Sequence, residues 1–180
     1  DRALTPGTLA TVARMYMYSA ETAALLPLTL AEAKAGRFEP LLAQAAMMND
    51  DLGSQIASGM HWSVICAEDA EHFVPRPQDA DLLLGQDFAS VVVSWCKEWP
   101  KRGVPADFHE PASGAIPTLV MSGEFDPVTP PRYGDQVVKG LPNARHLLVP
   151  GQGHNVLGRG CAPKLITTFI DKAEPKTLEA

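Results

Sequence analysis

The chain has 180 residues, 46% of them hydrophobic and 20% charged, with a formal net charge of -6. That is enough chain for a core of useful size, and the balance is ordinary for a folded protein rather than a disordered one. The acidic charge, with Lys and Arg scattered along the chain, excludes an electrostatic nucleic-acid footprint and a basic membrane patch. No apolar run approaches the ~20 residues that span a bilayer; the longest, Leu82 to Val93, is interrupted by Gly85, Gln86 and Asp87.

The first sixty residues read as helices. Leu9, Val12 and Tyr16 recur on one helical face, with Thr5 or Thr8 available to cap the start. A second helix is expected from about Leu28 to Ala35, stopped by Gly36. A third begins near Pro40 and carries Leu41, Leu42, Ala45, Ala46 and Met48. From Trp62 the pattern changes. The apolar, β-branched run Trp62 to Ala67, closed by Glu68 and Asp69, is expected to be a buried strand. A loop with Pro75 and Pro77 leads to a helix over 79–96, and the proline-bearing stretch from Glu98 to Ala115 is a connector.

The last third alternates strand and helix. Strands are expected over Pro117 to Gly123 and Arg145 to Pro150, and helices over Pro130 to Leu141 and Cys161 to Ala173, with a frayed polar tail after Glu174. Short loops between these elements make a βαβα unit with parallel strands. The expected fold class is therefore α/β, with a helical segment over 1–58 and the strand-bearing part over 59–180.

Reactive groups in parallel α/β sheets sit just past the carboxyl ends of the strands. Asp126 lies three residues beyond Gly123, in a loop stiffened by Pro127, Pro130 and Pro131. His154 follows the second strand after Pro150, in a turn that Gly151 and Gly153 allow to be sharp. The two are 28 residues apart, about one loop-helix-loop-strand crossover, so the strands would bring them side by side. A carboxylate beside an imidazole fixes its tautomer and stabilises the imidazolium. An Asp-Pro pair alone is usually a turn and a His in a glycine loop a surface residue; order, interval and strand-end placement together favour the acid-base pair.

The three cysteines, Cys66, Cys96 and Cys161, form no CxxC pair, and no His stands at ligand spacing from them, which speaks against zinc. One disulfide with one cysteine left over, or three buried thiols, fit the spacing equally. His61, His72, His109 and His146 fall mid-strand, in loops or at a strand start, and no role is expected for them. No cofactor or metal is expected.

The segment from Pro117 to Phe169, with Gly-Glu-Phe-Asp-Pro-Val-Thr-Pro-Pro over 123–131 and Pro-Gly-Gln-Gly-His over 150–154, closely resembles the end of α/β-hydrolases of the tripeptidyl-aminopeptidase-like group, relatives of proline iminopeptidase. The stretch from Gly59 to Asp69 is also similar to that group, where a strand returns to the sheet after a helical lid. The resemblance implies a C-terminal segment of an α/β-hydrolase, about three parallel strands plus a lid over 1–58, acting on a peptide or a small ester or amide. It makes Asp126 the orienting acid and His154 the general base of a Ser-Asp-His triad. The serine of such enzymes stands on a G-x-S-x-G elbow, and no serine here has glycines at both positions. Together with the opening at Asp1, without an initiator Met, this reads as a piece of a longer protein whose N-terminal half supplies the nucleophile.

The resemblance carries further expectations. Glu68 or Asp69, at a strand end, would hold a substrate's free α-ammonium. Frequent export of such enzymes favours a Cys66–Cys96 disulfide with Cys161 free or partnered elsewhere, and a secreted or periplasmic rather than a cytoplasmic setting. The activity implied is that of an exopeptidase. The alternatives are an esterase or other α/β-hydrolase, and a non-catalytic domain that binds a partner or itself through an open sheet edge.

Overall fold

A computed structural model describes residues 4–74, 76–83, 85 and 87–179. Pro75 of the expected proline loop, and Leu84 and Gln86 of the expected helix over 79–96, lie outside the described residues. The elements in chain order are α1 (Pro6–Tyr16), α2 (Ala20–Ala23), α3 (Leu26–Lys34), α4 (Glu39–Gln55), α5 (Ser58–Glu68), α6 (Asp87–Glu98), β1 (Thr118–Gly123), α7 (Pro131–Val137), β2 (Ala144–Val149) and α8 (Ala162–Lys172). Short 3₁₀ turns cover Ala70–His72, Pro77–Asp79, Val138–Gly140 and Pro175–Thr177. The described residues fall into two compact units. One comprises residues 4–12 and 29–109, the other residues 13–28 and 110–179.

The first unit is helical. Helix α3 ends in a Schellman arrangement: Gly36, at φ +83°, donates its N–H to the Ala33 carbonyl and Arg37 donates to the Glu32 carbonyl. Residues 62–67, expected as a strand, are helical within α5. Trp62, Ile65, Cys66 and Ala70 repeat at helical spacing and pack with Val92, Cys96 and Trp99, α6 carrying the first two. A packed helix partner decides what a short apolar run leaves ambiguous. Helix α6 begins at Asp87, later than the sequence pattern implies. A disulfide joins Cys66 to Cys96 inside this core, and Cys161 is free and exposed.

The second unit holds a two-stranded parallel sheet, β1 beside β2, in register Thr118↔Ala144 through Gly123↔Val149. The expected third strand is absent among the described residues, because its segment is α5. Side chains alternate across the sheet. On one face Leu119, Met121 and Leu147 pack with Leu165, Phe169 and Leu178, the first two of these on α8. On the other, Ser122 and His146 meet α7, where a Cβ on Gly134 would lie 2.5 Å from His146 Nε2. The tail is not frayed: Leu178 is buried in the core and its carbonyl accepts from the Arg145 guanidinium.

Candidate active site

Both candidate residues stand on loops that leave the carboxyl ends of β1 and β2. The loops are fastened through backbone. Glu124 N–H donates to the Val149 carbonyl at 3.1 Å and Phe125 N–H to the Gln152 carbonyl at 2.9 Å. A Cβ on Gly123 would fall 2.0 Å from the Gly153 carbonyl oxygen, so this approach admits only glycine. Gly151 turns the second loop at φ +67°.

Asp126 is held as the cap of its own turn. Its Oδ1 accepts from the N–H groups of Val128 and Thr129, each at 2.8 Å, and its Oδ2 accepts from the Thr129 hydroxyl at 3.0 Å. Such short-range bonds are what Asp supplies in turns. The same Oδ2 lies 2.9 Å from Nδ1 of His154. The carboxylate is 4% exposed and the imidazole 33%, so the acid is enclosed while the base reaches outward. Among the described residues His154 Nε2 makes no hydrogen bond.

Burial pushes the Asp126 carboxyl up, but the Thr129 N–H, His154, the Val128 N–H and the Thr129 hydroxyl together hold it below the ordinary range. A lowered folded-state value contributes stability above the unfolded value of about 3.9, and this is lost as pH falls through the folded value. The stability gap between the native chain and Asp126→Asn should therefore be full at pH 6 and shrink on acidification from about pH 4. Urea unfolding across that range measures it, and a gap independent of pH would contradict the bonding described.

A second Ser-His-Asp chain lies in the same unit. Ser122 Oγ is 2.9 Å from His146 Nε2, and His146 Nδ1 is 2.9 Å from Asp135 Oδ1. Its connectivity matches a hydrolytic triad, but its accessibility is reversed. Ser122 is only 7% exposed, pressed with the imidazole under Gly134, whereas Asp135 is 67% exposed. No carbonyl could reach that hydroxyl, so the chain pins β1, β2 and α7 together. The sequence carried one signal for it, a histidine in a strand flanking a helix with Gly134 beside Asp135.

The structure brings Asp126 and His154 together; Glu68 and Asp69 belong to the other unit. Glu68 is the last residue of α5 and Asp69 its C-cap. The strand end that would have aimed them at an α-ammonium does not exist. No group of three or more His, Cys, Asp or Glu among the described residues could hold a metal ion.

The α/β-hydrolase family model described as TAP-like protein matches residues 80–179, the stretch that contains both loops. No curated protein and no solved structure matches the chain significantly.

Proposed function

Because the chain belongs to the TAP-like family of α/β-hydrolases, we propose that it supplies the acid and the base of a Ser-Asp-His triad whose serine comes from outside these 180 residues. One observation carries the reading: the 2.9 Å contact between a buried, fourfold-bonded carboxylate and a one-third-exposed imidazole at neighbouring parallel strand ends. Asp126 accepts the His154 Nδ1–H, which leaves the Nε2 lone pair facing outward. Nε2 takes the serine proton as the hydroxyl attacks the substrate carbonyl, and the imidazolium rests against the carboxylate. The same proton then passes from Nε2 to the leaving group, and water repeats the cycle on the acyl-serine.

The substrate reading is an exopeptidase that acts on peptides with a free α-amine, supported by the family resemblance of the 123–131 and 150–154 motifs. With the nucleophile-bearing part present, aminoacyl or peptidyl p-nitroanilides with a free amine should be cleaved at least about tenfold better than N-acetylated counterparts, the worth of one charge-assisted contact. Equal cleavage of both, with p-nitrophenyl esters preferred, would replace the exopeptidase by an esterase. Turnover by the 180-residue chain alone would remove the need for an external serine.

A further inference from the structure

The histidine loop runs from β2 to α8 with little regular structure, turning at Gly151 and at Asn155, which sits at φ +67°. Both polar contacts of the His154 ring, Asp126 Oδ2 at 2.9 Å and the Thr129 hydroxyl at 3.4 Å, fall on Nδ1 and hold the ring from one side. Catalytic groups need orientation to within roughly 10–20°, so a contact on the rest of the ring bears on how well it is held.

The second unit contains such a contact. After α1 ends, Ser19 caps α2, accepting from the Thr22 N–H at 3.2 Å, while the Thr22 hydroxyl donates to the Tyr16 carbonyl at 2.6 Å. The turn so formed lies against the histidine loop in three places. A Cβ on Gly153 would be 2.4 Å from the Met17 carbonyl oxygen and 2.7 Å from that of Tyr18. The Tyr18 ring meets the His154 ring edge to face, centroids 5.1 Å apart and planes at 71°. Arg159 grips Glu21 with both terminal nitrogens, at 2.5 and 3.0 Å, and Glu21 is held below the usual carboxyl range by a backbone hydrogen bond first and by Arg159 and Ser19 next.

We propose that residues 17–21 form a strap across the histidine loop, with Tyr18 as a positioning residue that sets the plane of the His154 ring. The inference rests on His154 as general base and extends the machinery to a segment outside the triad. The ring, not the phenol, performs the work: an edge-to-face pair restricts rotation, and no hydroxyl bond to His154 is involved. The Glu21–Arg159 pair, being exposed, adds a weaker restraint at the far end of the loop.

The test uses the 180-residue chain and needs no catalysis. The Nδ1–H of His154, bonded to Asp126, gives a far-downfield proton resonance whose exchange with water reports how firmly the ring is held. The Nδ1–H of His146, bonded to Asp135 in the same unit, is the internal reference. Tyr18→Ala should speed exchange at His154 about fivefold, leave His146 unchanged, and be rescued by Tyr18→Phe. Glu21→Gln should give roughly a twofold effect. Tyr18→Leu, which keeps bulk without a ring, replaces the alanine variant if that does not fold. Unchanged exchange in the ringless variants overturns the strap, as does an equal rise at His146 or failure of Phe to rescue. A resonance that persists in Asp126→Asn would instead sink the acid assignment, and the Tyr18 comparison would still be read on it.

Discussion

Replacing His154 by Ala in a preparation that contains the nucleophile is expected to lower kcat by about 10⁴-fold or more, with little change in KM. The reason lies in the one-third exposed imidazole: its Nε2 is turned away from Asp126, and in the proposed mechanism it is the group that takes the proton. Asp126→Asn should cost about 10⁴-fold, by a different route. Asparagine keeps an oxygen to accept from the Val128 and Thr129 N–H groups, so the turn survives. What changes is the partner of Nδ1, because an amide NH₂ placed there donates and favours the wrong tautomer. A folded Asp126→Asn enzyme within tenfold of native turnover would remove Asp126 from the mechanism.

Reducing the Cys66–Cys96 disulfide is expected to destabilise the first unit by about 3.5 kcal/mol, from the loop-closure entropy of a 30-residue separation. Both cysteines are almost fully buried beside Val92. Serine replacements would add the cost of buried hydroxyls, so Cys66→Ala with Cys96→Ala is the cleaner comparison. All three tryptophans, Trp62, Trp95 and Trp99, belong to that unit, and their fluorescence follows it selectively. The urea midpoint should fall by roughly 1–2 M with reductant; a shift below about 0.3 M would show that the helix pair stands without the bond.

The contact between Asp126 and His154 was more legible than the fold around it. Asp126 and His154 follow from local features: two strands with clean apolar runs, loops marked by proline and glycine, and a fixed interval between them. Local chemistry also decided Gly36, since a left-handed residue after a helix is a backbone requirement rather than a packing one. The misreadings came from segments whose state depends on partners far along the chain. Trp62 to Ala67 has strand composition, yet Cys66 meets Val92 and Cys96 from a distant helix. With that segment helical, the strand-end placement of Glu68 and Asp69 disappeared too. The tail after Glu174 reads as polar and loose, but Leu178 completes the cluster of Leu147 and Leu165.

The sequence by itself determined the βαβα order of the last third, the pairing of Asp126 with His154, and the TAP-like resemblance, because period, turn chemistry and spacing are carried by neighbours in the chain. Only the tertiary structure decided that Asp126 is enclosed while His154 is one-third exposed, and that Ser122, His146 and Asp135 form a second chain whose serine is buried. The same holds for Tyr18, 136 residues from His154, which lies against its ring. Burial and long-range contact are properties of what packs on a residue, and no local pattern encodes them.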